Sequence, residues 1–210
     1  MLWMYAVCAL CLFVCLPFFL HYKKSLRLKL ASAYKTLGTF CAACLALTAA
    51  IRLDPQYWMC FAALFLHTVA DWLLEFNLFF GAGFFIAGHI CYIGFFLHLC
   101  PLTGIHVIAS LFLLGIMFFL LWRWRRPAAK NMPLFAVYGT ILSFASACAI
   151  ACFTLNTLQG QMIAFGGALF FISDVMLLAR LLFSASRAVD WAIMITYYIA
   201  QLLYGLSCLM

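Results

Sequence analysis

Three ionisable side chains, Lys35, Asp71 and Asp174, interrupt otherwise apolar stretches of this chain. An ionisable group inside a membrane span costs roughly 2.5–3.5 kcal/mol on insertion scales, so each marks a place where function or a specific pairing offsets that cost. Two carboxylates sharing a low-dielectric pocket rarely ionise together, which lets one serve as an acid while the other serves as a base. The purely structural alternative is a buried bridge from Lys35 to an aspartate, locking two helices. His67, Asp71 and Glu75 recur at i, i+4 and i+8 and so share one helix face. His67 reads as a partner of Asp71 or as a satisfied core histidine, and Glu75 as part of the site or as a solvated helix end. His89 with Tyr92, and Tyr197 or Tyr198 with Gln201, are mid-helix polar pairs that serve interhelical hydrogen bonds or meet a substrate. Asp54 and Asp190 fall at helix ends, where solvated or interfacial positions suffice. No phosphate-cradling glycine loop, serine nucleophile elbow, His/Glu zinc motif or nucleotide fingerprint is found. Acid–base chemistry is the enzyme class these residues support best.

The elements that must position these groups are membrane helices. Of 210 residues, 70% are hydrophobic and 8% charged, against roughly 25% charged in an average globular chain, so a soluble domain could not hide the apolar surface. Apolar runs long enough to cross a hydrocarbon core of roughly 30 Å recur from end to end. They predict helices over 2–21, 31–51, 57–77, 80–99, 104–122, 133–153, 162–182 and 189–209. The expected fold is all-α: a polytopic membrane protein with eight transmembrane helices in one bundle, residues 1–210 forming a single transmembrane domain. Polar or turn residues mark the breaks: Lys23 to Ser25, Asp54-Pro55, Asn77, Pro101 to Gly104, Arg126-Pro127, Asn156 to Gly160 and Ser184 to Arg187. The first run, Leu2 to Leu20, has no basic segment before it and no small-residue cleavage site after it, so it is expected to stay as a helix. The eleven cysteines, among them Cys8, Cys11, Cys15, Cys41 and Cys44, sit in apolar helices as small hydrophobes, and neither a disulfide framework nor a zinc site is expected.

The formal charge of +7 does not point to nucleic acid, because the cations are confined to short connections. Lys23, Lys24, Arg27 and Lys29 follow the first run, Arg123, Arg125, Arg126 and Lys130 the fifth, and Arg180 and Arg187 bracket the turn after the seventh. All three connections fall on one side, with Arg52 alone on the other, so that side is predicted to be cytoplasmic and both termini non-cytoplasmic. Counted from that boundary at about 1.5 Å per residue, Lys35, Asp71 and Asp174 lie roughly 9–15 Å inside and share a layer, which Tyr138 also reaches. Four helices thus aim polar groups at one level, as in a water-filled pocket open to the cytoplasmic side. A weak internal echo accompanies this: the third and seventh helices each carry an aspartate, and the helices after them carry mid-helix tyrosines.

Gly81-Ala-Gly-Phe-Phe85-Ile-Ala-Gly88-His89-Ile-Cys-Tyr92, Gly167-Ala-Leu-Phe-Phe-Ile-Ser173-Asp174 and Tyr197-Tyr-Ile-Ala-Gln201, in this order, resemble the motifs of the YhhN family of membrane proteins, whose characterised members are lysoplasmalogenases. The resemblance spans roughly residues 30 to 208. The chain departs from the family pattern at Ala70-Asp71, where Gly-Asp is usual, and at Lys35-Thr36, where Lys-Pro is usual, and keeps the charged group at both. The resemblance implies hydrolysis of the vinyl-ether bond of a lysoplasmalogen to a fatty aldehyde and a glycerophospho-alcohol. Asp71 and Asp174 would share the acid and base roles, by analogy with the carboxylate pairs of glycosidases. Lys35 would hold the lipid phosphate or tune the pair, and His89, Tyr92, Tyr138, Tyr197, Tyr198 and Gln201 would line the pocket. The scheme requires no metal or organic cofactor; its partners are the lysophospholipid and the surrounding membrane lipids, with no nucleic acid. The rival classes are a small proton-coupled transporter and a non-catalytic lipid-binding membrane protein whose aspartates only bridge helices. The compact chain without extensions points to a bacterial inner membrane ahead of the endoplasmic reticulum.

Overall fold

The structure, a computed structural model, describes residues 2–183 and 186–210. Ser184, one marker of the last predicted break, lies outside them. Among the described residues there is no strand, and eight helices are long and apolar enough to cross a membrane: α1 (Trp3–Lys24), α2 (Leu28–Arg52), α3 (Tyr57–Leu74), α4 (Leu78–Leu99), α5 (Gly104–Arg123), α6 (Arg125–Leu155), α7 (Leu158–Leu182) and α8 (Arg187–Ser207). This is the architecture of an integral multi-pass membrane protein.

The connections are short, and local chemistry sets where most of them turn. Asn77 accepts hydrogen bonds from the Phe79 and Phe80 amides at 3.0 and 3.2 Å and starts α4. Thr157 accepts from the Gly160 amide at 3.1 Å and starts α7, so the helix begins ahead of the predicted 162, with Gly160 inside it. Thr103 and His106 cap α5 reciprocally. The helices also outrun their apolar runs: Lys23 and Lys24 are the last residues of α1, which leaves only 25–27 as connection. Hydropathy marks where lipid contact stops, whereas backbone hydrogen bonding continues into the headgroup zone until a cap or turn ends it. Within α1 the backbone widens to a π-turn over Leu10–Cys15, just before Pro17.

Six helices close a ring in the order α2, α3, α4, α6, α7, α8, with α8 returning to α2. The remaining two are peripheral, α1 packing on α2 and α5 on α6. Large apolar side chains of α5 such as Ile108, Leu111, Phe112 and Phe119 face outward. The ring interior holds the polar groups, with Lys35, Thr39, His67, Asp71, His89, Asp174 and Gln201 all buried. That distribution, apolar outside and polar inside, suits lipid as the solvent. Close approach inside the ring depends on small residues: a Cβ on Gly38 of α2 would stand 2.6 Å from the Tyr198 ring of α8, and one on Gly88 of α4 would overlap the His67 ring of α3.

Candidate active site

Asp71 is fully buried on α3 and surrounded by donors. Its Oδ2 accepts from the Tyr197 hydroxyl of α8 at 2.8 Å and from the Thr39 hydroxyl of α2. The Lys35 ammonium stands 3.2 Å from its Oδ1, within ion-pair range though not aligned as a hydrogen bond. Lys35 and Thr39 are one turn apart on α2, so one helix face presents a cation and a hydroxyl to the same carboxylate. Lys35 is also 3.7 Å from Glu75 Oε1, which in turn receives the Lys23 ammonium of α1 at 3.4 Å. The result is an alternating chain of charges, Lys23, Glu75, Lys35 and Asp71, that crosses three helices.

Asp174 of α7 is held differently. The Tyr138 hydroxyl of α6 donates to its Oδ2, and no other hydrogen bond or ion pair reaches it among the described residues. Asp174 lines two cavities that also share Leu74, Phe85, Leu177 and Leu181. The first, of about 170 Å³, gathers the polar groups Lys35, Asp71, Glu75 and Tyr197 among apolar side chains. The second, of about 60 Å³, is an apolar crevice between α4, α5, α6 and α7, walled by Ala82, Met117, Phe135 and Leu142. Asp174 with Tyr138 is therefore the polar end of an apolar crevice, and the junction between crevice and charged cavity.

The other sequence candidates lie apart from this junction. His89, Tyr92, Tyr198 and Gln201 line neither cavity. Tyr92 donates to Gln201 Oε1 at 3.0 Å, the Gln201 amide reaches His67 Nδ1 at 2.9 Å, and His67 Nε2 faces the Phe85 carbonyl at 3.3 Å. A carbonyl only accepts, so Nε2 carries the proton, Nδ1 accepts from Gln201, and His67 is a neutral core histidine with both nitrogens used. This chain braces α3, α4 and α8 beneath the site. Tyr198 donates to the Lys35 carbonyl at 3.0 Å and joins α8 to α2 behind the ammonium. His89 is buried, with its ring edge-on to Phe170 at 4.9 Å and to Tyr138 at 5.9 Å between centroids. Thr39 is the contact that sequence reasoning missed; the available signal was its position one turn beyond Lys35. Glu75 resolves as part of the charge chain, and Asp190 as the partner of Arg180, whose Nε donates to it at 2.8 Å.

Among the described residues no group of three or more His, Cys, Asp or Glu side chains is arranged to hold a metal ion. What the arrangement offers is one carboxylate fixed among donors, a second carboxylate with a single hydroxyl partner, and a polar space joined to an apolar one. A model of the YhhN family matches residues 30–208, which takes in α2 to α8 and leaves out α1. No curated protein and no solved structure matches the chain.

Proposed function

The chain belongs to the YhhN family, and on that premise we propose that it hydrolyses the vinyl-ether bond of lysoplasmalogens, with Asp174 as the proton-transfer residue and Asp71 as the fixed anion. The observation that carries this reading is the place of Asp174 where the polar cavity meets the apolar crevice. A lysoplasmalogen has the same layout: a charged head, a vinyl ether, then a hydrocarbon chain. With the first carbons of the chain in the crevice and the glycerol in the polar cavity, the vinyl ether lies beside Asp174.

The chemistry follows from the bond. Asp174, protonated, gives its proton to the β-carbon of the vinyl ether: the double bond's π pair forms the new C–H bond, and a lone pair of the ether oxygen is shared with the α-carbon to give an oxocarbenium ion. Water adds to that carbon, and its proton returns to the Asp174 carboxylate. The hemiacetal then collapses, its hydroxyl proton moving to the glycerol oxygen as the carbon–oxygen bond breaks, leaving aldehyde and alcohol. Asp71 supplies negative charge to the same cavity as the cation develops, pre-organised by Lys35, Thr39 and Tyr197 so that it does not reorganise during the step. Tyr138 occupies Asp174 Oδ2 and directs the working proton to Oδ1.

The test is aldehyde release by detergent-purified protein from a lysoplasmalogen and from its saturated-ether counterpart. Wild type is expected to release aldehyde from the vinyl ether alone, and Asp174→Asn to lose about two to four orders of magnitude in turnover while remaining folded. Full activity in that variant would remove Asp174 from the mechanism. No aldehyde from folded wild-type protein would overturn the hydrolase reading.

A further inference from the structure

A third cavity, of about 490 Å³, lies outside the polar one and is built by the end of α1 and the facing ends of α7 and α8. The two cavities share Leu20, Lys23, Arg180 and Asp190, so they adjoin. Four cations line this vestibule, Lys23, Lys24, Arg180 and Arg187, against the single carboxylate of Asp190. Two of the four are already engaged: Arg180 with Asp190 and Lys23 with Glu75. Lys24 and Arg187 are exposed and pair with no carboxylate among the described residues.

We propose that Lys24 and Arg187 bind the phosphodiester of the lysolipid head group, so that the vestibule holds the phosphate while the vinyl ether reaches Asp174. The proposal rests on the hydrolase reading only for the identity of the lipid. The glycerol carbons and one oxygen separate the ether from the phosphorus, so the phosphate belongs one step outward of the carboxylates, where the vestibule lies. Lys35 is unsuited to that task. It is buried and placed between Asp71 and Glu75, and drawing it to a phosphate would leave the fully buried Asp71 without its counter-charge. Two exposed cations at a rim hold a doubly bridged phosphate by charge-assisted hydrogen bonds and release it without disturbing the core. One of them, Lys24, comes from α1, outside the residues matched by the family model.

The test uses full-length protein in detergent and ligands that are not cleaved: a saturated 1-O-alkyl-glycerophosphoethanolamine, the 1-O-alkylglycerol of the same chain length, and inorganic phosphate. Binding is measured by calorimetric titration for wild type, Lys24→Gln, Arg187→Gln and the charge-preserving Lys24→Arg. Each Gln variant is expected to bind the phospholipid analogue roughly tenfold more weakly and the alkylglycerol unchanged, with Lys24→Arg close to wild type. Equal loss for both lipids, or no loss for either, overturns the proposal. Inorganic phosphate binding as tightly as the phospholipid analogue would make this a free-phosphate site and overturn the head-group assignment. Because neither lipid is hydrolysed, the result is independent of aldehyde release: a phosphate-selective loss without catalysis would defeat the hydrolase reading and leave the vestibule site standing.

Discussion

Asp71 and Asp174 are the same side chain on corresponding helices, and their neighbours give them different work. Asp71 accepts from two hydroxyls and faces an ammonium; Asp174 accepts from one hydroxyl and borders open space. Replacing Lys35 with Met should cost about 3–5 kcal/mol, because it strands a fully buried carboxylate. Adding Asp71→Asn to that variant should recover part of the loss. Thermal unfolding in detergent measures both, and a double variant whose cost equals the sum of the singles would show that the pair is not coupled. Tyr138→Phe should lower turnover by about tenfold to a hundredfold with little change in unfolding temperature, since the hydroxyl orients Asp174 without filling space. Lys35, Asp71, Asp174 and Tyr138 were legible in the sequence because charges are rare in apolar runs and depth can be counted from a boundary. Thr39 was not, since a threonine in a membrane helix is usually satisfied by its own backbone, as Thr68 is by the Leu64 carbonyl. The grouping of His89, Tyr92, Tyr198 and Gln201 away from the cavities was not legible either. Spacing says which residues share a face, not which helix that face meets.

At the level of the helix, glycine decides how near two axes come. Gly88 lies against His67, whose ring is fixed by Gln201 and the Phe85 carbonyl, so the ring cannot retreat without breaking that chain. Gly88→Ala is expected to destabilise the fold by about 1–3 kcal/mol through overpacking, read as a lower unfolding temperature, while Gly83→Ala, with open space around it, should be neutral or slightly stabilising. Similar effects in both would mean that helix propensity, not packing, governs these sites. The number and order of helices were readable from apolar runs of membrane-spanning length. Their ends were not, because caps such as Thr157 and basic last turns such as Lys23-Lys24 extend a helix past its hydrocarbon segment.

Across the whole molecule the two halves repeat one plan. In residues 1–99 and again in 104–210, the first helix is peripheral and packs on the second, and the second, third and fourth join the ring; the halves meet through α4 on α6 and α8 on α2. Four helices per half leave both copies with the same orientation, as in parallel repeats. The faint echo of aspartates and tyrosines in the sequence falls on corresponding helices of that plan, and it is too slight to establish the plan without the contacts. We expect both termini to lie opposite the basic connections. An export-dependent reporter fused after Met210 should therefore be active and the same reporter fused after Arg126 inactive; the reverse pattern would invert the assignment. The repeat also bears on how the chain enters lipid during synthesis. Lys35 and Asp71 sit on consecutive helices, as do Tyr138 and Asp174, so each awkward polar group has its first partner on the adjacent span. A helical hairpin can leave the insertion machinery with its charge already answered, α2 with α3 and later α6 with α7, and the groups that define the site need never face bare hydrocarbon alone.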